Sequence, residues 1–109
     1  MTNKKILRQG DILLKEVDRI PTSALDLSTD ILAFGEKTGH HHKLQGSFQL
    51  YQTVENGNET KYLEILEETK LVHQEHNRIQ IPRGMYVVVN ERQYNPFKNI
   101  KVRVERVID

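Results

Sequence analysis

Three consecutive histidines, His40, His41 and His42, lie inside "FGEKTGHHHKLQGSFQLYQ" (34–52), and the remaining two, His73 and His76, flank Gln74 and Glu75 in "HQEH". Side chains two apart on a strand share a face. His40 and His42 are therefore expected to point one way and His41 the other, and two imidazoles so placed can chelate one ion. His73 and His76 are three apart. They would share a face on a helix and oppose each other on a strand. In an extended chain they converge only if it bends at Glu75, His76 and Asn77, where asparagine tolerates turn geometry.

The chain has no cysteine, so any metal site must be built from His, Asp or Glu. Such a donor set suits zinc, iron, manganese or nickel, and three protein ligands with an open position is the catalytic arrangement. The expected ligands are His40 and His42 with His73 or His76 as the third. Glu75 or Glu36 would be an extra ligand or a base. Two other readings stand beside this one. The histidines can be packing or surface groups. Alternatively, because imidazole titrates near neutrality, His42 or His73 can take a substrate proton without any metal.

"ERQY" (91–94) sets Arg92 and Tyr94 on one strand face. Turned toward the histidines, they would hold a carboxylate or phosphate of a small-molecule ligand, because guanidinium binds such groups bidentately. Tyr94 thus joins Glu75 as a candidate catalytic group. The C-terminal third carries Arg92, Lys98, Lys101, Arg103 and Arg106 among Tyr94 and Phe97. Cations interleaved with rings are what a single nucleic-acid strand requires, so Lys101 and Arg103 are candidate binding residues for a non-catalytic module. The competing reading is an outer strand whose charges protect a sheet edge. No GxGxxG or GKS/GKT phosphate loop is present. Ser23, Ser28 and Ser47 lack the setting of a nucleophile elbow.

The elements that must position these residues read as strands. They are "GDILLKEV" (10–17), "ILAF" (31–34), "HHHKLQ" (40–45), "SFQLYQTV" (47–54), "KYLEILE" (61–67), "LVHQEH" (71–76), "RIQIP" (78–82), "MYVVVNERQY" (85–94) and "IKVRVERVI" (100–108). Asn56-Gly57 between two of them is a strong hairpin signal. Residues 18–30, with Pro21 and several serines and threonines, read as a loop with room for one helical turn. Short strands with regular turn punctuation predict an all-β fold, a single antiparallel barrel or sandwich spanning 1–109.

At 109 residues the chain fits one domain. Charged residues make up 28% of it, yet the net charge is only +1, so no global attraction to nucleic acid or anionic membrane is expected. "MTNKKILRQGDILLKEV" lacks the apolar run of a secretory signal, and no stretch reaches the roughly 20 apolar residues of a membrane helix. A cytoplasmic location follows as the default expectation. A homodimer formed by pairing edge strands is a further expectation.

Gly35 ahead of "HHH", with Pro82 and Gly84 of "IPRGMY" about forty residues later, resembles the cupin pattern of small metal-binding β-barrels. That resemblance covers residues 35–90 and implies ligand roles for His40 and His42 alone. Gln45 and Gln49 stand where a cupin has its glutamate, and Met85, Tyr86 and Val87 follow Gly84 where it has a histidine. The phrases "RQGDILL", "GEKTGHHH", "HQEHNRIQIPRGMY" and "ERQYNP" are similar to an uncharacterised family of short bacterial proteins. This second resemblance spans nearly the whole chain and implies no function.

Overall fold

The computed structural model describes residues 4–34 and 39–91, with Glu55 as backbone only. The organising element is a long hairpin. Asn56 and Gly57 both adopt positive φ (52° and 79°), the requirement of the two-residue turn whose twist matches its strands. From this turn run two strands of 15 residues each, β5 (His41–Glu55) and β6 (Asn58–Val72). Before them come β1 (Ile6–Gln9), β2 (Ile12–Val17), β3 (Leu25–Asp26) and β4 (Ile31–Phe34). After them come β7 (Ile79–Ile81) and β8 (Gly84–Asn90).

Every pairing is antiparallel. The turn half of the hairpin carries β8, β2 and β1 beyond β6, and β3 beyond β5. The other half carries β4 on β5 and β7 on β6. Between the halves the ladder slips. From the pair Gln45↔Lys70 to the pair Phe48↔Ile65, β5 advances three residues and β6 five. An excess of two preserves the alternation of faces, so Leu63, Ile65, Thr69 and Leu71 are all buried despite the slip. Bulges of this kind bend and twist a strand. The Thr69 hydroxyl ties the bend down, its proton shared between Glu67 O (2.8 Å) and Ser47 O (3.2 Å).

The bent sheet wraps one core. Ile12 and Leu14 of β2, Leu32 and Ala33 of β4, Leu44 and Leu50 of β5, Leu63, Ile65 and Leu71 of β6, Ile81 and Tyr86 form a single buried cluster. Tyr86 is fully buried, and its hydroxyl donates to Pro82 O at 2.8 Å. Burial of the ring raises the phenol's pKa, with a further push from Glu16.

The all-β antiparallel expectation holds, with one correction. Among the described residues the sheet path ends at β1 and β3 and does not close into a barrel. Alternation dictates which face of a strand is buried but says nothing about which strands meet at the edges. Local boundaries differ too. The segments expected at 40–45 and 47–54 are one strand. Those expected at 61–67 and 71–76 form another, which stops at Val72, because bulges carry the pairing through where a break was read. The 18–30 loop holds the short β3 and no helical turn. The strand expected over 100–108 lies outside the described residues. Among those described, no helix is long and apolar enough to cross a membrane.

A histidine pole as candidate functional site

The inward positions of β5 run Leu50, Phe48, Leu44 and then His42; those of β6 run Leu63, Ile65, Thr69 and Leu71, with His73 following just beyond the strand. Register places Lys43 opposite Val72, so His42 on β5 and His73 at the exit of β6 follow the last leucines of the core. Imidazoles thus end the apolar column at the pole away from the Asn56-Gly57 turn. His42, held on its other side by pairing with Ala33 of β4, is only 3% exposed.

After Val72 the chain leaves the sheet and bends through Gln74, Glu75 and His76. The bend brings the rings of His73 and His76 within 4.6 Å, centre to centre. His42 lies 4.4 Å from His73 and 6.3 Å from His76, nearly parallel to the latter, and His40 meets His73 edge-on at 5.7 Å. Four of the five histidines, from two segments 33 residues apart, therefore form one cluster. His41 takes the other face, as strand alternation requires. Its backbone N–H donates to Gln74 Oε1 (2.9 Å), and its Nδ1 lies 3.3 Å from Gly39 O.

The turn between β1 and β2 lids the cluster. Gly10 has φ +59°, and a Cβ there would lie 2.6 Å from His76 Nε2, so both the backbone and the neighbouring ring demand glycine. Next to it Gln9, 3% exposed, reaches inward. Its amide nitrogen donates to Leu71 O (2.8 Å) and Asn77 O (3.0 Å), and its oxygen lies 2.8 Å from His42 Nδ1.

The ring nitrogens differ in circumstance. His73 Nδ1 accepts the Glu75 backbone N–H at 3.0 Å. Its pKa is lowered, first by desolvation and then by the neighbouring His76 and His40, against a smaller opposing pull from Glu75. His40 Nδ1 is buried with no hydrogen-bond partner among the described residues; Glu75 Oε1 lies 3.7 Å away, at ion-pair distance. Among the described residues, no set of three or more His, Asp or Glu side chains is arranged to hold a metal ion as it stands. On the outer side, His73 lines an open cleft of about 260 Å³ with His41, Lys43, Val72 and Gln74.

Of the residues singled out in the sequence, His40, His42, His73, His76 and Glu75 meet at this pole. Glu36, Arg92, Tyr94, Lys101 and Arg103 lie outside the described residues. Gln9 escaped the residue-by-residue reading, and Gly10 entered it only as a turn residue. The signal that contained them was the phrase "RQGDILL".

The first described strand is clasped to the residue that follows the last one. Arg8 Nη1 pairs with Glu91 Oε1 at 2.9 Å, and Glu91 N donates to Asp11 O at 3.0 Å. No curated protein and no solved structure matches the chain. A family model does match, over residues 8–91. This span includes the whole histidine pole and both members of the clasp. The chain belongs to the family described as Domain of unknown function (DUF8820).

Proposed function

We propose that the histidine pole binds a divalent transition metal, with His42 as the anchoring ligand and His40, His73 and His76 supplying the others. The observation that carries this reading is a buried imidazole nitrogen, His40 Nδ1, with no hydrogen-bond partner, in a cluster of four imidazoles. Buried polar atoms are ordinarily paired, and an unpaired one calls for a reason. A nitrogen-rich donor set of this kind fits zinc, iron, manganese or nickel.

Spacing supports the fit. A tetrahedral zinc about 2.1 Å from its imidazole nitrogens sets ligand rings roughly 5 Å apart, centre to centre. The observed separations run from 4.4 to 6.3 Å. The donors do not yet converge, so binding requires the rings on the bend to turn. His73 must also exchange its bond from the Glu75 amide. A bound ion would supply Lewis acidity or a water of lowered pKa; the chain supplies imidazole nitrogens and a carboxylate at Glu75.

Calorimetric titration with zinc tests this reading. Saturable binding by the wild-type protein, abolished in His40→Ala/His42→Ala, is the expected result. Absence of binding by folded wild-type protein, with zinc, manganese and nickel alike, would overturn it. A metal-free proton-transfer site is the second reading, favoured by the lowered pKa of His73. It requires a function that survives exhaustive chelation.

A further inference from the structure

We infer that Gln9 is a tautomer lock: it holds the proton of His42 on Nδ1 and so commits Nε2 to be the atom that binds. The lock rests on the amide's own hydrogen bonds. A glutamine amide has two N–H donors and one carbonyl acceptor. Both donors of Gln9 face backbone carbonyls, Leu71 O at 2.8 Å and Asn77 O at 3.0 Å. Flipping the amide would set its oxygen against both carbonyl oxygens and its nitrogen against the imidazole. The residue is 3% exposed, so water is not at hand to repair those losses.

With the amide fixed, its oxygen stands 2.8 Å from His42 Nδ1. Oxygen can only accept there, so Nδ1 must carry a proton. In neutral imidazole one nitrogen is the donor and the other the acceptor. The lone pair of neutral His42 is therefore on Nε2, the nitrogen on the opposite side of the ring from Gln9. Orienting a metal-binding histidine through a hydrogen bond to its other nitrogen is a general device for fixing tautomer and ring direction. Gln9 is in this sense a positioning residue, acting through His42. Its two carbonyl partners also belong to the bend side of the pole, one at the end of β6 and one just after His76. The same side chain thus ties the β1 turn to both halves of the cluster.

The tautomer assignment stands on the hydrogen bonds alone. Only its purpose, presentation of Nε2 to an ion, rests on the metal reading. The two are separated by measuring the His42 ring nitrogens in metal-free protein. Long-range ¹H–¹⁵N correlation spectra at pH 8 should show His42 Nδ1 with the shift of a protonated nitrogen and Nε2 with that of an unprotonated one. The reverse pattern, or an averaged pair of shifts, would overturn the lock. Gln9→Met, which keeps the length and apolar stem but removes amide and carbonyl, should let the two shifts move toward averaging. Unchanged shifts in a folded Gln9→Met protein would also overturn it.

Zinc titration of the same samples then reads the purpose. Gln9→Met is expected to weaken binding by about 10–100-fold, the usual effect of removing such a partner. Equal affinity in both proteins would overturn the positioning role. Should the wild-type shifts match the lock while zinc fails to bind, the lock stands and the metal reading falls. If Gln9→Met does not fold, the wild-type spectrum still decides the tautomer.

Discussion

The strand side and the bend side of the histidine pole are built by opposite rules. His42 sits on β5, paired with Ala33 of β4, is nearly inaccessible, and has its Nδ1 engaged by a buried amide. His73 is the first residue beyond β6. It is half-buried, and its Nδ1 accepts a backbone N–H from two residues on. The two rings are 4.4 Å apart, yet with the tautomer inferred above they are in opposite hydrogen-bonding states: His42 donates through Nδ1 and His73 accepts through it. A rigid sheet can present one fixed nitrogen, whereas a bend can turn its rings toward whatever arrives. This difference accounts for four clustered imidazoles among which no ready-made ion site is found. On the metal reading proposed above, the strand side is pre-set and the bend side has to move.

The largest expected effect comes from removing the platform both sides share. Leu71 is fully buried at the end of the core, directly beneath the pole. Leu71→Ala should cost about 2–5 kcal/mol in a denaturant titration, by lost transfer energy plus a residual cavity. A loss well below this would mean that the pole is supported independently of the core.

Next is the lid. Gly10→Ala adds a Cβ at a positive φ and against the His76 ring. It should cost about 1–3 kcal/mol in the same titration, the range of a left-handed non-glycine residue. The His76 ring resonances should shift while those of His42 hold, because Gln9 and not Gly10 anchors the strand side.

The bend side should also show itself in pH dependence. The pKa of His73 is lowered from its ordinary 6.5 by folding. The unfolded chain therefore takes up this proton first as pH falls. The stability that His73 contributes is complete above its unfolded pKa and is lost as pH drops through that value toward the folded one. Chemical denaturation between about pH 8 and pH 5 should show stability falling on the acid side. His73→Gln should reduce that slope. An unchanged slope would place the acid sensitivity on other groups.

The smallest effect is expected at Glu75, an exposed residue whose Oε1 lies 3.7 Å from His40 Nδ1. Glu75→Gln should change stability by no more than about 1 kcal/mol, as exposed pairs do. A larger loss would make that carboxylate part of the structural frame and not an accessory to the bend.

Legibility in the sequence followed the range of the interactions involved. Asn56-Gly57 announced its turn because the required φ values are local. The shared direction of His40 and His42 was readable from alternation of faces, and the turn tolerance of Asn77 left room for a bend after His73. The two slips near Gly46 were hidden, because a bulge is a property of a pair of strands and each strand alone still alternates. Open edges in place of a closed barrel were hidden for the same reason. Gln9 was the least readable of all. Its partners are 33, 62 and 68 residues away, and nothing in "RQG" announces a buried amide.

The most direct test of the central claim is the metal content of wild-type protein purified without a tag, affinity metal or chelator, measured by elemental mass spectrometry beside His42→Ala. The account predicts roughly one divalent transition-metal ion per chain, the stoichiometry of a single imidazole site, and its loss in the variant. Protein that is folded, metal-free, and still metal-free after incubation with zinc, iron, manganese or nickel would contradict it.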